Sequence, residues 1–335
     1  MDQLADSTSL IGHRDALGGR LAADGYLFFR GLLPAAEVRS TGAAILGRLR
    51  SGGWSPGPAG PRAVTIRDAL ADPAFRGAIV SPEFNRLPYL PPLRALTRQI
   101  LGPEAFSYPV KVLRAVHPEP TGSSSGPRWP WRRTIPSSAG PGGAGPGGAG
   151  PHPGRPRGRY VHYDYGVSGV QDMLTTWLPL MDIPVRLGGL AVRPRGHLGP
   201  PRRPRLLGRD EPGWASAGYH PGDVIIFHCL TPHAALANTG TELRLSADFR
   251  WQRADQTAPA ELVLGPAGAS GRAWTGRPAE AFGRLLQREP WWEPVPTGLT
   301  LGRRADLVTA PPGPSRFFPV DPGWRAWQPP PGAVH

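Results

Sequence analysis

Leu243-Arg244-Leu245-Ser246-Ala247-Asp248-Phe249-Arg250-Trp251 alternates between apolar and polar side chains at every step. A period of two belongs to an extended strand, whose successive side chains point to opposite faces. One face would carry Leu243, Leu245, Ala247, Phe249 and Trp251, the other Arg244, Ser246, Asp248 and Arg250. The apolar face must meet a core. The polar face has two readings: it lies in water, or it turns inward, where the Arg244 guanidinium grips a carboxylate through two parallel hydrogen bonds.

Upstream, the Asn238-Thr239-Gly240 turn separates this strand from His233, and Pro221-Gly222 opens a buried run from Asp223 to His228. Strands are expected near 160–165, 171–178, 189–193, 223–229, 232–236 and 243–251. Short strands at this spacing suggest an antiparallel sandwich or barrel. Towards the N-terminus, residues 13–50 read as helix, buried strand (Tyr26-Leu27-Phe28-Phe29) and helix. Residues 84–101 read as a further helix, and Tyr108 to Val116 as a strand. Residues 255–335, with the aromatic pairs Trp291-Trp292 and Phe317-Phe318, are expected to wrap the core of a single domain spanning 1–335.

Glycine (45) and proline (44) are abundant among the 335 residues, which excludes long coiled coils and helical bundles. No glycine-every-third period supports collagen, and 39% hydrophobic content is enough for a core. Ten prolines and eleven glycines crowd into residues 118–158, so that stretch is expected to be a disordered insertion. Its Trp129-Pro130-Trp131-Arg132-Arg133 patch is either a docking element or incidental. The formal charge of +13 is almost all arginine, Lys111 being the sole lysine, with six arginines between Arg193 and Arg209 and five in 118–158. Two explanations stand: an electropositive entrance for an anionic substrate, or solvated loops shaped by coding bias. A lone cysteine, Cys229, excludes an internal disulfide and fits a reducing compartment. With no signal-like N-terminus and no long apolar run, a cytoplasmic protein without membrane contact is expected.

His162-Tyr163-Asp164 lies on one of the expected strands, where alternation would aim the imidazole and the carboxylate at one spot. A third ligand, from His197, His220, His228 or His233, would complete two histidines and one carboxylate, the facial donor set of non-haem Fe(II) oxygenases.

The order His162-x-Asp164, Gly188-Gly189-Leu190-Ala191-Val192-Arg193-Pro194, Gly222-Asp223, His233, Asn238 and Arg244-x-Ser246 resembles the phytanoyl-CoA dioxygenase (PhyH-like) family. The resemblance is continuous over about 160–252 and extends to Asp24-Gly25-Tyr26-Leu27-Phe28-Phe29-Arg30-Gly31-Leu32-Leu33. It implies a mainly β protein with flanking helices and a double-stranded β-helix (jelly-roll, cupin-like) core. It implies Fe(II) and 2-oxoglutarate, with O2, hydroxylating a small organic molecule and releasing succinate and CO2. The metal ligands it implies are His162, Asp164 and His233; Arg244 and Ser246 would hold the far carboxylate of 2-oxoglutarate. Trp177 matches a tryptophan lining that pocket, or is a plain core aromatic, and Lys111 matches a lysine near the co-substrate. Two departures stand out: Pro194-Arg195-Gly196-His197 where the family shows Pro-Gly-Ser-His, and Ala235 where a small hydroxyl residue is usual. A non-catalytic jelly-roll protein that binds or senses a metabolite is the alternative. A nucleic-acid-directed oxygenase is a weaker one, since no separate binding motif is present and no nucleic-acid partner is expected.

Overall fold

The alternating stretch is extended along its whole length, and the molecule is organised on either side of it. The computed structural model describes residues 1–54, 72–109, 111–118, 160–202, 205–208, 210–263 and 293–329. The expected insertion beyond Pro118, the Trp129–Arg133 patch and Trp291-Trp292 lie outside the described residues. The strands are β1 (Asp2–Gln3), β2 (Tyr26–Phe29), β3 (Ala105–Ser107), β4 (Val112–Val116), β5 (Leu174–Pro179), β6 (Leu190–Val192), β7 (Ala215–Ser216), β8 (Val224–His228), β9 (His233–Ala235), β10 (Arg244–Arg253), β11 (Ala258–Pro259) and β12 (Leu301–Gly302). The helices are α1 (Arg14–Asp24), α2 (Ala35–Ser51), α3 (Pro73–Ile79), α4 (Pro82–Arg86), α5 (Pro91–Leu101), α6 (Tyr165–Ser168), α7 (Ala260–Val263) and α8 (Arg304–Thr309). Among the described residues no helix is long and apolar enough to cross a membrane.

The larger sheet runs β2-β8-β5-β10-β3, with β4 also on β10. Its pairings are antiparallel. The smaller sheet runs β1-β7-β6-β9, and only its β1–β7 pairing is parallel. Parity then sorts the core. Leu27 and Phe29 of β2, Leu174 and Leu178 of β5, Val224 and Ile226 of β8, and Leu245, Ala247, Phe249 and Trp251 of β10 share one cluster with Leu17 and Leu21 of α1 and Ile45 and Leu49 of α2. The helices therefore cover that face. The intervening residues Tyr26, Phe28, Trp177, Ile225 and Phe227 join Leu190, Val192 and Ala215 of the smaller sheet in a second cluster. Each fully buried side chain of this size contributes about 1.5–3 kcal/mol. The site lies on the side of the larger sheet that faces the smaller one.

Three expectations are corrected. The strand over 160–165 is reduced to isolated pairings of Tyr160 with Leu206 and of His162 with His233. At Asp164 the backbone becomes helical (φ −70°, ψ −14°), because its carbonyl accepts the amides of Val167 and Ser168 and starts α6. The helix over 84–101 is broken between Leu87 and Tyr89, around Pro88, and restarts at Pro91, since proline removes a helical donor and restricts the residue before it. The strand from Tyr108 to Val116 is two strands: β3 pairs Ala105–Ser107 with Trp251–Arg253 and β4 pairs Val112–Val116 with Arg244–Asp248, both along the same edge of β10. Pro109, which has no amide to donate, lies in the gap.

The aromatic C-terminal residues pack beside the future site. Trp324 meets the ring edges of Tyr163 (5.0 Å) and Tyr165 (6.2 Å), and Phe318 meets His197 (4.4 Å) and His228 (4.7 Å). Asp172 fastens the segment, accepting from Ser315 Oγ (2.6 Å) and the Arg316 amide (3.1 Å) while it pairs with His228 (3.2 Å).

Two glycines of α2 give opposite tests of this packing. A Cβ at Gly42 would run into the Leu180 carbonyl oxygen, whereas one at exposed Gly47 would meet nothing. Gly42→Ala is expected to cost about 1–3 kcal/mol through overpacking. Gly47→Ala is expected to gain up to about 1 kcal/mol from helix propensity. Denaturant unfolding of the two variants measures both signs.

Candidate metal and co-substrate site

Two backbone hydrogen bonds set the site. The His162 amide donates to the His233 carbonyl and the His233 amide to the His162 carbonyl, both at 3.1 Å. This pairing places the imidazoles side by side, with ring centroids 4.1 Å apart. His162 Nδ1 lies 2.7 Å from the Tyr160 carbonyl oxygen and His233 Nδ1 2.9 Å from that of Thr231. A carbonyl only accepts, so each Nδ1 carries the hydrogen and each Nε2 keeps its lone pair for a metal.

Asp164 completes the group. The turn into α6, and not strand alternation, carries its carboxylate to the histidines, and His233 Nε2 stands 3.6 Å from Asp164 Oδ1. One ligand atom from each of His162, Asp164 and His233 lies within 4.8 Å of the others. Burial by itself would raise the Asp164 pKa, but Arg250, the two histidines and Thr175 outweigh it and hold the carboxyl well below the usual range. Burial, then proximity to His233, lowers His162 to about 3, and burial lowers His233 as well. Two neutral imidazoles and one carboxylate are therefore presented together, which is the donor set that suits Fe(II). The three other candidate histidines are engaged elsewhere. His197 is buried with Nε2 2.9 Å from the Ala22 carbonyl, His220 pairs with Asp182, and His228 pairs with Asp172.

The polar face of β10 is turned inward. Arg244 is 1% exposed and Ser246 is fully buried. Arg244 Nη1 donates to the Gly188 carbonyl, while its Nε and Nη2, and Ser246 Oγ, have no hydrogen-bond partner among the described residues. Burial lowers the Arg244 pKa to about 10, so the group is still a cation at neutral pH. Buried donors are normally satisfied, and a cation left without a counter-charge is costly. A carboxylate oxygen is what this arrangement lacks. Arg244, His162, His233, Trp177, Arg114 and Asp248 line one pocket, so the imidazole end and the guanidinium end share a space. Trp177 forms a wall of it, edge-on to Tyr219 at 4.8 Å, and Ala235 lies in the lining too.

Lys111 is placed differently from these. Its ammonium sits 5.2 Å from the centre of the Tyr89 ring and 3.3 Å from the Tyr108 carbonyl oxygen, and it does not belong to the pocket lining. Arg114 does, with Nε 2.6 Å from Asp248 Oδ2. No motif in the sequence marks Arg114, Asp248, Arg250 or Thr175 as a site residue. Period-two alternation marks Asp248 and Arg250 as facing with Arg244, but Arg114 joins them only through its register opposite Ser246. Arg195, the departure in the Pro-Gly-Ser-His position, is exposed and adopts a left-handed backbone (φ 60°).

The chain is similar to several known proteins. Residues 21–246, well over half of the chain, match the family profile described as phytanoyl-CoA dioxygenase (PhyH). A 1-deoxypentalenic acid 11-beta-hydroxylase of Streptomyces arenae is 25% identical over 275 residues, covering 75% of this chain and 85% of that protein. Among solved structures, the apo form of the non-heme monooxygenase ThoJ is 18% identical with a TM-score of 0.49, covering 72% of this chain and 79% of its own. The epimerase SnoN, in complex with Fe3+, alpha ketoglutarate and nogalamycin RO, is 20% identical with a TM-score of 0.42, covering 74% and 86%.

Lys111 offers a pH test. An unfolded lysine keeps its proton to about 10.4, whereas burial lowers the folded group to about 7. Between those values the unfolded chain binds more protons, so stability rises with pH and is lost as pH falls from the upper value to the lower. The slope is up to about 1.4 kcal/mol per pH unit. Lys111→Met is expected to flatten that slope in denaturant unfolding between pH 7 and 10.

Proposed function

The chain belongs to the phytanoyl-CoA dioxygenase (PhyH) family and is a 2-oxoglutarate-dependent oxygenase that uses Fe(II), and from that premise we propose that it hydroxylates a small organic acid. The two sheets sharing one core are read as a double-stranded β-helix. His162, Asp164 and His233 hold the iron; Arg244 and Ser246 receive the far carboxylate of 2-oxoglutarate, with Trp177 as a wall. The observation that carries the reading is the buried Arg244, whose Nε and Nη2 are unpartnered in the same pocket as the two histidines.

When bound, Fe(II) with 2-oxoglutarate supplies the activation of O2 and the oxidative decarboxylation that yields succinate and CO2. The remaining work belongs to this chain. The Tyr160 and Thr231 carbonyls lock both imidazoles with their Nε2 lone pairs inward. Arg244 orients the co-substrate by a charge-assisted fork, and Trp177, Leu190 and Phe227 exclude water from the pocket. Support for a small carboxylate-bearing substrate comes from the hydroxylase relative, whose named substrate is an organic acid, and from the arginine-rich stretch after Arg193.

A screen of small organic acids that reads succinate release tests the proposal. Turnover is expected to depend on the acid supplied and to vanish in Asp164→Ala. Arg244→Met, which removes hydrogen bonds to a charge each worth about 1.5–3 kcal/mol, is expected to raise the KM for 2-oxoglutarate by about 10–100-fold. A protein that holds metal and 2-oxoglutarate yet never decarboxylates it would be a metabolite binder instead.

A further inference from the structure

β5 and β10 are antiparallel neighbours, and in their register Thr175 stands directly opposite Arg250. Both share the inward face with Trp177 and Arg244, two and six residues away along their own strands. Side chains directly opposite on one face have Cβ atoms only about 4.5–5.5 Å apart, so this pair forms a single two-pronged donor. Both prongs end on Asp164. Thr175 Oγ1 donates to Oδ2 at 2.5 Å, and Arg250 Nη2 donates to Oδ1 at 3.4 Å. Thr175, Arg250 and Asp164 are all buried.

The two carboxylate oxygens are therefore unlike each other. Oδ1 is the one that faces His233 Nε2, at 3.6 Å. Oδ2 is drawn towards the sheet by the threonine hydroxyl, whose only hydrogen it takes. This asymmetry matters for an iron site. A facial triad with a carboxylate binding through one oxygen leaves three positions free, two for a keto-acid chelate and one for O2. A carboxylate binding through both oxygens would occupy one of the three.

We propose that Thr175 and Arg250 are positioning residues that restrict Asp164 to ligation through Oδ1, and so preserve the coordination positions that 2-oxoglutarate needs. The inference rests on the reading of His162, Asp164 and His233 as the metal ligands. It assigns to the β5–β10 pairing a part in co-substrate binding, although neither residue is part of the pocket lining. Thr175 acts by turning Oδ2 away. Arg250 acts by directing Oδ1 through its Nη2.

Co(II), whose visible spectrum reports its coordination, is the probe. The unaltered protein, Thr175→Val, Thr175→Ser and Arg250→Gln are each loaded with Co(II) and titrated with 2-oxoglutarate. Thermal unfolding of every variant confirms that it is folded. Thr175→Val keeps the side-chain shape and removes only the donor. It is expected to bind Co(II) but to need about 10–100-fold more 2-oxoglutarate, the usual cost of losing a group that orients a ligand. Thr175→Ser, which retains the hydroxyl, is expected to titrate like the unaltered protein, and Arg250→Gln to shift in the same direction as Thr175→Val. A folded Thr175→Val that matches the unaltered protein in both Co(II) spectrum and 2-oxoglutarate titration overturns the proposal. So does a folded Thr175→Ser as impaired as Thr175→Val. If Asp164→Ala binds Co(II) with the unaltered spectrum, the ligand assignment itself falls, and that outcome is separate because it shows before any 2-oxoglutarate is added.

Discussion

β10 is buried on both faces, and this constraint governs the rest of the molecule. Its odd-numbered residues from Leu245 to Trp251 are apolar and require a hydrophobic layer, which α1, α2 and α5 supply. Its even-numbered residues are Arg244, Ser246, Asp248, Arg250 and Gln252, and burying them is tolerable only if other elements bring partners. Tyr108 and Gln252 meet across the sheet, Arg114 comes to Asp248 from β4, and Asp164 comes to Arg250 from the turn before α6. The elements that reach β10 from the inside are the ones that build the site.

The charge balance inside is incomplete. Arg114, Arg244 and Arg250 face Asp164 and Asp248, three cations against two carboxylates. Arg114 pairs with Asp248 and Arg250 with Asp164, leaving Arg244, among the described residues, with only the neutral Gly188 carbonyl. A buried ion pair roughly offsets its own desolvation, whereas a buried lone charge does not. The surplus cation lines the same pocket as His162 and His233, and the arrival of a dicarboxylate there would restore balance. The same logic keeps Asp164 ionised and both imidazoles neutral, so the donor set is ready without proton movement.

Much of this was legible because parity is local. The alternation over 243–251 announced a strand with one apolar and one polar face, and the order of His162, Asp164, His233 and Arg244 carried the family resemblance. The choice among four histidines was not readable from spacing, because His197, His220 and His228 lie on equally plausible segments; the resemblance named His233, and the His162–His233 pairing brings the two together. Lys111 attracted notice as the sole lysine, yet it sits by Tyr89 and Tyr108 while Arg114 lines the pocket. The break at Pro109 shifts the strand start to Val112, which no alternation count across the break could register. The strand expected at 160–165 ended early because the Asp164 carbonyl has nearer partners in Val167 and Ser168 than in any neighbouring strand.

The sequence by itself determined the alternation over 243–251 and the residues on each of its faces, and through the family resemblance it named the groups expected to bind a metal and a dicarboxylate. The alternation follows from backbone geometry and side-chain chemistry along contiguous residues. Only the tertiary structure decided that the polar face of β10 looks inward, that Thr175 stands opposite Arg250, and that Arg114 reaches Asp248. Each of these depends on the register between strands far apart in the chain. Register is settled by which pairing buries the apolar faces together and leaves the fewest buried charges alone, a property of the whole core and of no single segment.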